Sequence, residues 1–184
     1  MLVLATSSHP RGASALRRVR RRAAEFLAAI GRTDAELSIV LVTDGRIRTL
    51  NRNWRGKDRS TDVLSFPISE PAGSGTLLGD VIISLDTAAR RARADGRRVG
   101  EELDRYLAHG LLHLVGFDHE QPEDARAMAE QEAALVRGEG LVGAALRTGA
   151  QRAGRTEERW TRLPTSISIL GTRSRTSRAS APAL

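Results

Sequence analysis

Three of the chain's four histidines fall inside one eleven-residue run, HGLLHLVGFDH at 109–119. His109 and His113 stand four apart in a stretch that reads as helix. That spacing puts both imidazoles on one face, one turn apart, where they can reach a single ion. Gly116 is placed to end the helix in the left-handed conformation that glycine adopts readily. The chain can then turn back and bring His119 to the same ion. Three neutral imidazoles leave a fourth position for water, which is the arrangement of a catalytic zinc rather than of a closed structural site. Magnesium and calcium prefer oxygen ligands. The expectation is one Zn2+ held by His109, His113 and His119, with nickel, copper and iron still compatible with the donor type. The competing reading, three unrelated histidines, leaves the spacing, the glycine and the ligand count to coincidence.

The same spacing occurs in the long zinc-protease motif, H-E-x-x-H-x-x-G-x-x-H. Where that motif has a glutamate as general base, this chain has Gly110. Glycine offers no proton acceptor, which argues against a peptidase. Zinc by itself lowers the pKa of bound water towards neutrality. The window therefore reads as a metal hydrolase with a different division of labour.

These residues need a frame. LVLAT (2–6) reads as a first strand and 14–30 as an amphipathic helix, with Leu16, Val19, Ala23, Phe26, Leu27 and Ile30 at helical spacing. ELSIVLVT (36–43) is rich in β-branched residues and reads as a strand. A short helix follows, with Asp44 a candidate cap and Ile47, Leu50 and Trp54 along one side. DVLSFPI (62–68) is a strand whose Pro67 argues for an edge position. LLGDVIIS (77–84) is another, joined to it as an antiparallel hairpin. Helices are expected at 85–95, 98–115 and 122–138, the last with Pro122 in its first turn. The order gives an α+β domain: a small mixed sheet of about four strands packed with helices, including a zincin-like metal helix.

Composition narrows the function classes. There is no cysteine, which excludes thiolate nucleophiles, thiolate zinc sites and iron–sulfur clusters. No apolar run is long enough to span a bilayer, and the N-terminal apolar run is too short for a signal-peptide core. The expected location is cytoplasmic, with no membrane partner. The net charge of +7 is unevenly spread. Residues 147–184 hold eight Arg and two Glu, leaving 21 basic and 20 acidic residues before them. We divide the chain into a catalytic domain at 1–145 and an Arg/Ser-rich tail at 146–184. The tail lacks apolar periodicity apart from TSISIL and is expected to be disordered. Within the domain, arginines crowd 17–22 and basic residues crowd 52–59. Both are candidates for phosphate contacts, set against the alternative of a solvated charged face. Aromatics are scarce, so no stacking platform for single-stranded nucleic acid is evident.

Two further blocks accompany the histidines: NRNWRGKDRSTDVLSFP at 51–67 and GDVIIS at 79–84. In this order the three blocks resemble the bacterial YbeY family of zinc-dependent endoribonucleases, described as rRNA maturation factors. The resemblance covers residues 1–142 and finds no clear counterpart for the tail. It implies cleavage of single-stranded RNA, processing of the small-subunit rRNA 3′ end, and ribosome quality control. It makes His109, His113 and His119 the zinc ligands and Arg55 the basic residue of the site, both catalytic and substrate-binding. The implied partners are rRNA and a ribosome or ribosomal protein, with no small-molecule cofactor.

Phosphodiester hydrolysis builds negative charge on the non-bridging oxygens. A guanidinium holds two such oxygens in a fork and stays charged at neutral pH. Attack is assigned to the zinc-bound water and charge stabilisation to Arg55. The alternative for Arg55 is a surface pair with Asp58 or Asp62. Asp118 either orients an imidazole or caps a turn. Asp80 is read as a strand-end hydrogen-bonding residue, Phe66 and Pro67 as the cleft rim. Thr61, Asp62 and Ser65 are read as loop supports and His9 as a solvated residue. No residue declares itself the general acid. The competing functions are a non-catalytic ribosome-assembly factor with structural zinc, and a zinc peptidase.

Overall fold

The computed structural model describes residues 1–68, 77–117 and 121–141. His119, Asp118 and the expected tail at 146–184 lie outside the described residues. Four strands form one sheet: β1 (Leu2–Ser7), β2 (Glu36–Val42), β3 (Val63–Pro67) and β4 (Leu77–Ser84), in the order β1-β2-β4-β3. β1, β2 and β4 are parallel, and β3 pairs antiparallel with β4 at the edge. Pro67 thus stands in an edge strand, where its missing N–H costs the ladder little. The helices are α1 (Ala13–Ala29), α2 (Asp44–Arg55), α3 (Leu85–Ala94), α4 (Val99–Leu114) and α5 (Pro122–Arg137). The expected mixed α+β sheet is present, with element ends within two residues of those read from the sequence.

Period-two alternation divides the strands between two faces. Leu37, Ile39, Leu41, Val63, Val81 and Ile83 point to the face covered by α1 and α4, with α5 packed on those two helices. Val40, Val42, Leu64, Phe66 and Ile82 point to the other, where Ile47, Leu50 and Trp54 of α2 cover them. The first face holds the larger cluster. Its fully buried leucines, Leu27, Leu41, Leu103, Leu107, Leu111 and Leu112, each contribute about 1.5–3 kcal/mol by leaving water.

Several side-chain expectations change. Phe66 is 2% exposed and meets Trp54 edge-on at 6.2 Å, so it belongs to the core under α2 rather than to a cleft rim. The cap of α2 is Thr43, whose hydroxyl accepts from the Arg46 N–H. Asp44 instead reaches α3, accepting from Ser84, Thr87 and Arg90. His9 is not solvated. It is 7% exposed, donates to Asp86 through Nε2, and accepts the Arg11 N–H at Nδ1. Asp80 sits inside β4, opposite Phe66. Burial pushes its carboxyl up, and a hydrogen bond to Ser38 offsets this only in part. Of the α1 arginines, Arg18 and Arg22 clamp the buried Asp104 at 2.8–3.1 Å. They hold α1 to α4, and Arg17, Arg20 and Arg21 remain as an exposed face.

Candidate metal centre

α4 carries the two described histidines on its last two turns. Leu103, Leu107, Ala108, Gly110, Leu111 and Leu114 of this helix are buried. Between 105 and 113 the half-exposed side chains are Arg105, Tyr106, His109 and His113, a stripe along one side. Helical periodicity therefore anchors the helix by its apolar face and presents both imidazoles on the other.

The two rings face each other through Nε2, 3.2 Å apart, with planes at 83°. What lies behind them decides their state. His109 Nδ1 is 3.2 Å from Glu132 Oε2 on α5, and His113 Nδ1 is 3.0 Å from the Phe117 carbonyl oxygen. A carboxylate and a carbonyl only accept, so each Nδ1 carries its proton and donates. In neutral rings both Nε2 atoms then hold lone pairs. Two lone pairs at this distance repel unless a cation or a shared proton sits between them. Two nitrogens bound to one tetrahedral zinc at about 2.0–2.1 Å lie about 3.3 Å apart. The donor set and spacing fit such an ion, and the Nδ1 partners are those that metal-bound histidines commonly have. Among the described residues no group of three His, Cys, Asp or Glu is assembled that could hold a metal. The structure thus brings together two of the three expected ligands, the third lying outside the described residues.

Local sequence explains both supports. Gly116, at φ 93°, reverses the chain after α4, and the Phe117 N–H returns to the Leu112 carbonyl at 2.9 Å. This turn delivers the Phe117 carbonyl to His113. Gly110 answers a different need. A Cβ there would lie 2.8 Å from Val81 and 3.0 Å from Ser65, because α4 packs directly on β3 and β4 at this point. The Ser65 hydroxyl donates to the Gly110 carbonyl at 3.0 Å. A side chain at position 110 would push into Val81 and Ser65 of the sheet, so glycine suits this position and no carboxylate stands there as the protease motif requires.

Arg55 is the last residue of α2 and is exposed. The body of α2 lies on the opposite face of the sheet from α4. The two histidines are thus placed together, and Arg55 is carried by a different layer. Asp58, its suggested partner, is held bidentately by Arg48 at 2.8–2.9 Å and lies 3.7 Å from Arg52. Asp62 takes the Thr61 hydroxyl and the Val63 N–H, as a loop support should.

The matching blocks of sequence thus fold as neighbours: β3 pairs with β4, and α4 rests on both. Comparison with known proteins agrees. The family model for endoribonuclease YbeY matches residues 7–138. The chain belongs to the endoribonuclease YbeY family. It is 70% identical to the endoribonuclease YbeY of Anaeromyxobacter dehalogenans strain 2CP-C, over 97% of this chain and 98% of that one. It is 66% identical to that of Anaeromyxobacter sp. strain Fw109-5, with the same coverage. Its fold is similar to the solution structure of a Thermotoga maritima protein, with a TM-score of 0.55 and 25% identity, over 94% of this chain and 100% of the other. The tail does have counterparts: matches over 97% of the chain must run into residues 146–184, although the family model ends before them.

Sequence reasoning missed Glu132 and Arg105. Arg105 Nε lies 3.5 Å from Glu132 Oε1, so one carboxylate serves His109 and the arginine one turn before it. Nothing in the local pattern of α5 announces this, because the contact joins residues 23 apart in sequence. Among the described residues no helix is long and apolar enough to cross a membrane.

Proposed function

We propose that this chain is a zinc-dependent endoribonuclease that cuts single-stranded RNA, with the small-subunit rRNA 3′ end as substrate and ribosome quality control as setting. The observation that carries the reading is the pair of Nε2 atoms facing each other with both Nδ1 protons already committed. His109 and His113 would hold the metal together with His119. Zinc, when bound, supplies Lewis acidity and acidifies water. Glu132 and the Phe117 carbonyl fix the tautomer and orientation of the two rings, so the site is set before substrate arrives.

Arg55 binds the phosphodiester. Its guanidinium forks two non-bridging oxygens and offsets the charge they gain as the bond breaks. The chain supports this assignment. The loop that leaves α2 directly after Arg55 ends in Ser60, Thr61 and Asp62, which share a cleft with Arg105 and Tyr106 of α4. The loop thus runs from the end of α2 to a cleft that the metal-bearing helix α4 also lines. Delivery of rRNA by a ribosomal partner, and a cytoplasmic location, belong to the same reading.

The test is cleavage of a labelled single-stranded fragment ending in the small-subunit rRNA 3′ region, with zinc measured on the same samples. Wild type should carry about one zinc and cut internally. Arg55→Ala should keep the zinc and lose cutting by on the order of 10²-fold. Zinc-loaded wild type that leaves RNA intact would overturn the catalytic reading in favour of a non-catalytic assembly factor.

A further inference from the structure

A cleft of about 480 Å³ opens between α3, α4 and the loop before β3, lined in part by Ser60, Thr61, Arg90, Arg91, Arg105 and Tyr106. It adjoins the histidine stripe, since Arg105 stands one turn before His109 and shares Glu132 with it. Two carboxylates, Asp62 and Glu102, also line it, but both are turned to internal work. Glu102 is 2% exposed and accepts from Arg97 at 3.0 Å and from the Tyr106 hydroxyl; burial of the ring, and then the Glu102 charge, push the Tyr106 phenol well above its usual range. Asp62 is occupied by Thr61 and Val63. The side chains of Arg91 and Arg105 are 63% and 42% exposed, Arg105 lying 3.8 Å from Glu102 and 3.5 Å from Glu132, while Arg90 is bonded to Asp44 and Thr87. Arg91 meets Asp95 through Nε, at 3.1 Å. A guanidinium has five N–H donors, and with 63% of the Arg91 side chain exposed the fork can reach a ligand in the cleft.

From this arrangement we propose that the cleft is a second phosphate subsite, which holds a phosphodiester of the RNA strand next to the one being cut, with Arg91 and Arg105 as its main donors. It rests on the RNA reading above. Such a subsite supplies what the scarcity of aromatic residues denies this protein, a grip on single-stranded RNA that does not depend on stacked bases. It also fixes the register of the strand, because a phosphate held one helical turn from His109 limits which bond can reach the metal centre.

The experiment is binding of a fluorescent single-stranded RNA oligonucleotide to the full chain, with chelator present so that nothing is cut, at one fixed salt concentration. Three variants are compared: Arg91→Glu, Arg91→Ala, and Arg93→Glu. Arg93 is exposed on the same helix but does not line the cleft, so Arg93→Glu makes the same charge change two residues away. Loss of a charged hydrogen-bonded contact should weaken binding roughly ten-fold in Arg91→Ala and further in Arg91→Glu. Arg93→Glu should stay within about two-fold, the residue of long-range charge alone. Circular dichroism melts should match wild type, because the Arg91–Asp95 pair is exposed and contributes little. Equal losses at 91 and 93, or no loss at 91, would overturn the subsite and leave the RNA reading standing. Wild type that fails to bind RNA would instead remove the reading beneath it.

Discussion

His9 and the His109–His113 pair are the same side chain in opposite situations. His9 is buried, and each of its nitrogens meets a complementary partner: a backbone donor at Nδ1 and the Asp86 carboxylate at Nε2. It lacks nothing. His109 and His113 each spend one nitrogen on an acceptor and turn the other towards its twin. Two neutral rings so placed repel unless a shared proton or a cation lies between their Nε2 atoms. Burial alone would have picked out His9, the most enclosed of the three; the pattern of donors and acceptors picks out the pair. A histidine's role is thus read from what its second nitrogen faces rather than from how deeply it sits.

Replacing one histidine of each kind separates the two roles. His113→Ala should take zinc from about one per chain to near zero and RNA cutting to background, with the fold retained by circular dichroism. His9→Ala should do the reverse: zinc stays, while stability in urea falls by about 1–3 kcal/mol, because a buried imidazole is removed and the half-exposed Asp86 carboxylate and the Arg11 N–H lose their bonds. If His9→Ala also sheds zinc, the two environments are not separable and the argument from hydrogen bonds fails.

A smaller effect sharpens it. Glu132→Ala removes the acceptor behind His109 without touching a ligand. Zinc affinity, by competition with a chelator, should drop roughly 10- to 100-fold. An unchanged affinity would mean that the carboxylate does not orient the ring.

The weakest effect concerns the His9 side alone. The Asp44 N–H and then His9 hold the Asp86 carboxyl below the ordinary range. Burial raises Asp44, but hydrogen bonds from Ser84, Thr87 and Arg90 together outweigh it and leave it lowered. Carboxylates depressed by folding add stability that is complete above their unfolded values and is lost as pH falls through the folded ones. Thermal melts should therefore be flat above about pH 5 and decline below about pH 4, and Asp86→Asn should flatten that decline. A decline of equal size in Asp86→Asn would remove this network from the cause.

The elements were legible in the sequence because each carries its own period. α4 shows 3.6-residue spacing in Leu103, Leu107, Leu111 and Leu114, and β3 shows Pro67 at an edge. The histidine pair was legible for the same reason: four residues apart on a helix is a local fact. Glu132 was not, since it reaches His109 from another helix, and the cleft was not, since three separate segments line it. Phe66 was misplaced because its motif suggested a site, while alternation along β3 sends it to the α2 face. His9 was misplaced because a loop histidine looks solvated until Asp86, 77 residues on, folds against it.

The central claim is that zinc binds the facing nitrogens of His109 and His113. Two-bond proton–nitrogen correlation spectra of the histidine rings, recorded before and after one equivalent of zinc, test it most directly. The account predicts Nδ1-protonated rings for His109 and His113, with their Nε2 signals moving on zinc addition and those of His9 staying in place. Zinc that binds while the Nε2 signals of His109 and His113 stay unmoved would contradict it.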